Sequence, residues 1–510
     1  MSTAIEPLPD DVVIAERPRV GAPRPYEFPA VAVHQLPNGL SVLVANLPGR
    51  PLVSASIVVR GGASEEPAEL AGCTVLAARA LSEGTEHFDA IQLVEASERL
   101  GASLHADAGW DALSVSAEVP AARLAPAMEL VAEILLRPTF PTSEVERLRD
   151  ERLNDLLQAQ ADPRRRAEQV FADTIYASSS PYHRPSGGTR ETVERLTADD
   201  LRRAYERNLD PRRATLVVAG DLGGLDVVEL AERLFGAWVG AGSDPAATDG
   251  AVVDTPALDR RIVRVVHRPG SVQTEIRIGH RGLPRQIPDF NAVSVMSAIL
   301  GGLFNSRLNM KLREEKGYTY GAGAGFDLRR GAGPFAARAA VNTEVTVAAT
   351  LDTLTELGRM RDQPVEPSEL AAARDFLIGV FPLRFETSGA VVGALSGLAV
   401  HGLPIDELVD YRARIEAVDG GAVSAAARAH LHVDSAAIVL VGDIDAFGAE
   451  LEAAGLGPIV IERDDMVEPV PLPHEEAVVP GPVDREDAEG PTAGAEEPEL
   501  PGVPEQPSES

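Results

Sequence analysis

This 510-residue chain is poor in several things at once: it has one cysteine, two lysines, 4% aromatic residues and a net charge of −31. No apolar run approaches the roughly 20 residues that span a bilayer. A lone Cys73 excludes an internal disulfide framework and any cysteine-rich metal site, and its apolar neighbours make it a packed thiol. Lysine is confined to Lys311 and Lys316 against 45 arginines, a bias without mechanistic content of its own. The shortage of positive charge argues against nucleic acid or an anionic membrane as partner and leaves basic peptides as a compatible ligand class. No Gly-x-Ser-x-Gly, P-loop or Cys-x-x-Cys motif occurs. The opening "MSTAIEPLPDDVVIAERPRV" has neither a basic nor an apolar leader segment, so a cytoplasmic protein is expected.

What is present is organised in two halves. Residues 1–28 are Pro-rich and aperiodic, and read as a disordered N-terminal arm. From 29 to 240, strands and helices alternate. "HQLPNGLSVLVANL" is a hairpin turning at Pro-Asn-Gly, "LVSASIVVRGG" is a strand that alternates in its first half, and Ser143–Ala161 is a helix ending before Asp-Pro. Residues 241–260 are small, polar and Pro/Gly-rich, a linker by composition. A second αβ stretch covers 261–461. Residues 462–510 carry 15 acidic residues against Arg463 and Arg485, and read as a disordered tail. Both halves close on helix, buried strand and Gly-Asp (Gly220-Asp221, Gly442-Asp443), which favours duplication. The expected fold is therefore α+β: two similar mixed αβ domains with a cleft between them.

Three local readings bear on chemistry. "AGCTVLAARALSEGTEH" is an amphipathic helix running to a Gly-Thr stop. "GGLFNSRLNMKLREEKG" is a second one, with Leu303, Phe304, Leu308 and Leu312 on its buried stripe. "YTYGAGAGF" follows Gly317 as a strand, which places Tyr318 and Tyr320 on one face. His430 and His432 form the one dense histidine pair and would face alike on a strand, but no third ligand is at hand. His87, His105 and His183 are scattered and read as satisfied polar residues.

In order and spacing, "LPNGLSVLVANLPGRPLVSASIVVRGGASEE", "GCTVLAARALSEGT", "ERLGASLHADAGWDALSVSAEV", "ADPRRRAEQVFADTIYASSSPYHRPSGGT", "ATLVVAGDL", "ILGGLFNSRLNMKLREEKGYTYGAGAGF" and "AAIVLVGDI" resemble the pitrilysin/insulinase family of zinc peptidases. That family includes mitochondrial processing peptidase, and the resemblance covers about residues 30–460. It implies a His-x-x-Glu-His set on the first helix, with two histidines binding zinc and the Glu polarising water. Counting back from Thr85, the ligand and base places hold Val75, Ala78 and Arg79; counting back from Pro163, the distal ligand place holds Asp155. These cannot hold zinc, so no metal is expected in this chain. Arg79 is expected to take the vacated place and pair with Asp155, the alternative being two unrelated solvated side chains. The resemblance further implies that Arg313 and Tyr320 reach a substrate carbonyl, and that an edge strand carrying Ser103, His105 and Asp107 takes up peptide. Trp110 either joins that contact or packs.

The expected protein is thus the metal-free subunit of a two-chain peptidase. A paralogous partner brings the zinc, this chain brings the Arg/Tyr pair and part of the chamber wall, and the substrate is an unfolded peptide. The rival expectations are an inactive peptide-binding subunit and a purely structural one.

Overall fold

The computed structural model describes residues 21, 24–240 and 258–463. The acidic stretch from 464 onward and the linker as far as residue 257 lie outside the described residues, as does the N-terminal arm apart from residue 21 and residues 24–28.

Among the described residues, twelve strands form two six-stranded sheets of near-identical plan. The first half supplies β1 (Ala32–Gln35), β2 (Ser41–Asn46), β3 (Leu52–Arg60), β4 (Ser103–Ala108), β5 (Ala112–Pro120) and β6 (Ala214–Gly220), in the order β1-β2-β6-β3-β5-β4. The second supplies β7 (Ile262–His267), β8 (Gln273–Arg281), β9 (Ala322–Phe326), β10 (Pro334–Asn342), β11 (Ala437–Gly442) and β12 (Ile459–Arg463), in the order β12-β7-β11-β8-β10-β9. Five strands correspond one to one, and the sheets differ at one edge: β1 runs antiparallel to β2, β12 parallel to β7. The Gly-Asp echo has a structural cause. Asp221 Oδ2 accepts the N–H of Gly49 at 2.9 Å, and Asp443 Oδ2 accepts that of Gly270 at 2.8 Å. Both glycines have positive φ (82° and 72°), so each Gly-Asp pins the turn beyond the neighbouring strand in the same way.

The hairpin forms as the sequence requires. Leu36 N–H donates to Leu40 O at 2.8 Å around Gly39, whose φ of +95° suits glycine. Central strand β3 is buried without alternation, from Val53 to Val59, because both sheet faces are covered. Helices α1 (Cys73–Ala80) and α3 (Leu124–Leu136) cover one face, alongside α2 (Ala90–Leu100). The other face of β3 and β6 is covered by Ser388–His401, a helix of the second half.

The exchange is reciprocal. From the first half, α4 (Thr142–Ala161) leads into α5 (Pro163–Ile175), which packs on β8 and β11 of the second sheet. Phe171, Val170 and Ile175 of α5 join Val266, Val439 and Val441 in one apolar cluster. Burial of such side chains stabilises by roughly 1.5–3 kcal/mol each. Polar ties reinforce the exchange: Ser388 Oγ donates to Leu52 O, and Tyr176 Oη to Ala332 O, both at 2.9 Å. Among the described residues no single helix is long and apolar enough to cross a bilayer; one bent pair, Pro367–Phe385 with Ser388–His401, meets that length and composition only when taken together.

Several expectations are corrected. Tyr26 and Phe28, assigned to the arm, pack edge-on against Phe381 and Phe385 at 6.0 and 5.0 Å. Glu462 and Arg463, assigned to the tail, extend β12, and Glu462 pairs with Arg264 at 3.0 Å and with Arg166. His430 ends a helix, Gly420–His430, and His432 follows that helix, so the pair does not share a strand face.

Candidate functional site

Helix α1 is held by packing. Cys73, Leu76, Ala77, Ala78 and Ala80 are all at or below 1% exposed, and half-buried Val75 packs against the same cluster. Gly72 precedes the helix at φ +92°, and Glu66 accepts the N–H groups of Gly72, at 2.9 Å, and Thr74. A carboxylate at a helix N-terminus is favourable, yet burial raises the Glu66 pKa from its ordinary value despite these bonds. Burial, with Glu66 adding to it, pushes the Cys73 thiol up to about 12, so it is a packed, unreactive thiol.

Arg79 does not pair with Asp155. It donates to Glu151 at 2.9 Å, one turn earlier on α4, and Asp155 is claimed by Arg152 and by Arg165 at 2.8 Å. Residues 151 and 155 lie on one helix face, and two other arginines reach the shorter Asp155 locally. Arg147 completes the network, bridging Glu83, Glu144 and Glu151 at 2.5–2.7 Å. Burial above all, with the Arg165 and Arg79 cations adding to it against Asp155, lowers the Arg152 pKa. The place where the resemblance puts a dication therefore offers Val75, Ala78, a guanidinium and a doubly paired carboxylate. This donor set does not fit zinc.

The expected peptide edge is an edge. β4 pairs only with β5 among the described residues. Ser103, His105 and Asp107 are exposed on one face, in strict alternation with Leu104 and Ala106. Ser103 Oγ and His105 Nε2 are 2.9 Å apart. Both line a cleft of about 530 Å³ between the first sheet and the Ser388–His401 helix, with Ser54, Ser116, Glu118 and Gly393; Asp107 stands outside it. Trp110 packs edge-on against Tyr182 at 5.1 Å and lies under Arg329 at 4.8 Å.

Arg313 and Tyr320 both line a cleft of about 540 Å³, together with Arg164, Glu275, Phe304 and Arg338. The local path differs from the expected single amphipathic helix. Wide turns at Ala298–Gly302 and Met310–Glu315 flank an extended Leu303. Leu303, Leu308 and Leu312 are buried as expected, but Phe304 is 66% exposed, because the break at Leu303 takes it off the helical stripe. There the Phe304 ring carries the Arg313 guanidinium 4.5 Å above it. The nearest carboxylate to Arg313 is Glu314, at 3.5 Å. Gly317, at φ +65°, ends the helix, and Tyr318 N–H caps Leu312 O at 2.8 Å. Strand β9 starts only at Ala322, so Tyr318 and Tyr320 precede it and do not share a strand face. Tyr318 packs on the core, whereas Tyr320 is 94% exposed.

Three of the histidines named in the sequence have carboxylate partners: His87 with Glu133 at 3.0 Å, His183 with Asp173 at 2.9 Å, His430 with Asp289 at 2.7 Å. His432 N–H donates to His280 Nε2 at 3.1 Å, and burial lowers the His280 pKa to about 4. One further donor cluster went unread in the sequence. His267 lies 3.7 Å from both Asp443 and Asp445. The first half carries Asn46 and Asp221 at the places of His267 and Asp443, so this frame is the turn-pinning cap common to both sheets. Arg164 and Arg338 of the second cleft were also missed. The run "DPRRR" at the start of α5 was the available signal for Arg164; nothing marked Arg338.

Comparison with known proteins identifies the family of this fold. Residues 41–184 match the insulinase family (peptidase family M16), and residues 195–377 match the peptidase M16 inactive domain. An uncharacterized zinc protease of Mycobacterium leprae is 27% identical over 308 residues, 60% of this chain and 68% of the relative. The non-peptidase homolog YmxG of Helicobacter pylori is 24% identical over 366 residues, 70% of this chain and 81% of the relative. In three dimensions, a peptidase M16 inactive domain from Pseudomonas fluorescens superposes with a TM-score of 0.75 at 24% identity, covering 81% of this chain and 98% of its own. The chain belongs to the insulinase family, peptidase family M16, and is similar to that family's inactive members.

Proposed function

We propose that this chain is the metal-free subunit of a heteromeric zinc peptidase. Arg313 and Tyr320 serve a paralogous partner that holds the zinc, acting together on unfolded peptides in the cytoplasm. The observation that carries the reading is the contrast between the two sites. α1 offers no donor set for a metal, whereas Arg313 and Tyr320 line one open cleft, the guanidinium oriented by Phe304 and the phenol exposed.

A zinc ion held by the partner would supply the polarised water. This chain's part is electrostatic. The Arg313 N–H groups and the Tyr320 O–H donate to the oxygen of the attacked carbonyl, where negative charge grows toward the tetrahedral state. The exposed β4 edge offers the peptide main chain a strand to pair with, and the wall built by both halves shapes the chamber.

The test is reconstitution. The purified chain alone is expected to leave an unstructured fluorogenic peptide uncut, and addition of a His-x-x-Glu-His paralog to produce cleavage. Cleavage by this chain in the presence of a chelator would refute the assignment. A second reading, an inactive peptide-binding or structural subunit of the same fold, draws on the serine-lined cleft beside β4. Wild-type rates in Arg313→Ala and Tyr320→Phe complexes would favour it.

A further inference from the structure

We propose that the Arg313–Tyr320 cleft contains an anion subsite that selects peptides presenting a carboxylate beside the contacted carbonyl. The inference deepens the function above and rests on its assumption that this cleft faces peptide.

Four guanidiniums converge here from four elements: Arg164 at the start of α5, Arg277 on β8, Arg313 in the wide turn and Arg338 on β10. Among the lining residues they meet a single carboxylate, Glu275. The assignment of partners shows which of them are available. Arg277 is buried and paired, donating to Glu168 and Glu275 at 2.8 Å each. Arg338 reaches the same Glu168 oxygen at 3.3 Å and so shares an acceptor already taken. Arg313 stacks on Phe304, with only Glu314 nearby, at 3.5 Å. Arg164 is exposed and has no partner among the described residues. Four cations therefore face three carboxylates, and the deficit falls on Arg164 and Arg313, one from each half of the chain.

This is a local inversion of sign in a chain of net charge −31. The surrounding negative field works against loading the cleft with small anions, whereas a peptide is carried in by its main-chain contacts and presents its carboxylate only at short range. A planar, permanently charged guanidinium held flat by an aromatic ring is suited to a carboxylate fork. Tyr320, exposed at the rim, and one N–H edge of Arg313 donate to the carbonyl, while Arg164 and the other edge of Arg313 hold the carboxylate. The carboxylate has two sources, the C-terminus of a short peptide or an Asp or Glu side chain of a longer one.

The test uses the full chain without a partner and fluorescein-labelled unstructured peptides in matched pairs, read by anisotropy. One pair differs only in a C-terminal acid against its amide, the other in one internal Glu against Gln. The subsite predicts that at least one acidic member binds about fivefold or more tighter than its neutral twin at low salt. The preference should shrink as added salt shortens the screening length, and the pair that shows it identifies the source. Arg164→Gln should erase the preference, leave the neutral twin within about twofold and leave Tm unchanged. Equal binding of both twins in both pairs overturns the subsite, and so does an equal loss for both twins in Arg164→Gln. If Arg313→Ala then weakens acidic and neutral peptides alike, the cleft still binds peptide and only the anion preference fails. If no peptide binds in any form, the subsite and the function it rests on fall together.

Discussion

Replacing Tyr320 with Phe removes one oxygen from a ring that is 94% exposed and whose hydroxyl has no partner among the described residues. Nothing in the fold depends on that atom, so Tm and the denaturant midpoint should stay within the ±0.5 kcal/mol or so typical of inert surface changes. Any loss of rate in a reconstituted complex is then a loss of the donor. A preorganised donor to a developing oxyanion is worth roughly 3–4 kcal/mol when the site excludes water. Tyr320 stands at an open rim, where water competes for the same oxygen, and part of that worth is screened. A fall in kcat of at least about tenfold, equivalent to about 1.4 kcal/mol, is the expected floor. KM should change little, because the interaction strengthens only as charge builds. The assay is kcat and KM on an unstructured fluorogenic peptide, with complex formation verified by sedimentation. An unchanged kcat with intact assembly would refute the role; a raised KM at constant kcat would demote Tyr320 to a ground-state contact.

Other perturbations test the fold and its electrostatics. Phe171→Ala removes a ring, 2% exposed, by which the first half packs onto the second sheet; urea unfolding should show about 3–5 kcal/mol lost. Arg79→Ala breaks a half-exposed pair with Glu151 and should cost no more than about 1 kcal/mol in the same assay. Burial holds the His280 pKa near 4, below its ordinary 6.5, so the neutral ring is the folded form. Its contribution is present above pH 6.5 and lost as pH falls through 4, on the order of 3 kcal/mol in all. Urea midpoints of wild type and His280→Gln, compared between pH 7 and 4, should converge as the pH drops.

Much of the architecture was legible because it rests on local physics. Pro37-Asn38-Gly39 sets its own turn and the Gly-Asp pairs close equivalent strands; the β4 edge, by contrast, was implied by the resemblance, and its alternating exposure follows from its place at the sheet edge. The misreadings occur where tertiary context overrides pattern. β3 is buried on both faces because a helix of the other half covers it, and nothing in "LVSASIVVR" encodes that cover. Phe304 fits the helical stripe by spacing, but a wide turn and an extended Leu303 displace it, and the ring becomes the seat for Arg313. Counting back from Pro163 located Asp155, yet the choice of Arg79 between Glu151 and Asp155 depended on Arg152 and Arg165, which compete for the latter.

Packing explains why the helix persists without metal ligands. In a working metal site the ligand helix is fixed in part by the ion; here α1 is fixed by what surrounds it. Ala78, at the place of the catalytic carboxylate, is 0% exposed within the first half's core. A glutamate there would enter an apolar setting where an unpaired carboxylate costs several kcal/mol. Arg79 is already committed to a network that also ties Glu83, Glu144 and Glu151 through Arg147. Restoring three side chains would therefore not restore the site, since the core and the arginine network would have to be rebuilt together. Arg313 and Tyr320 are under no such commitment: their side chains remain on the cleft surface, and neither is tied into a buried network. α1 is held by packing and by its ion-pair network, whereas Arg313 and Tyr320 keep their polar groups on the cleft surface.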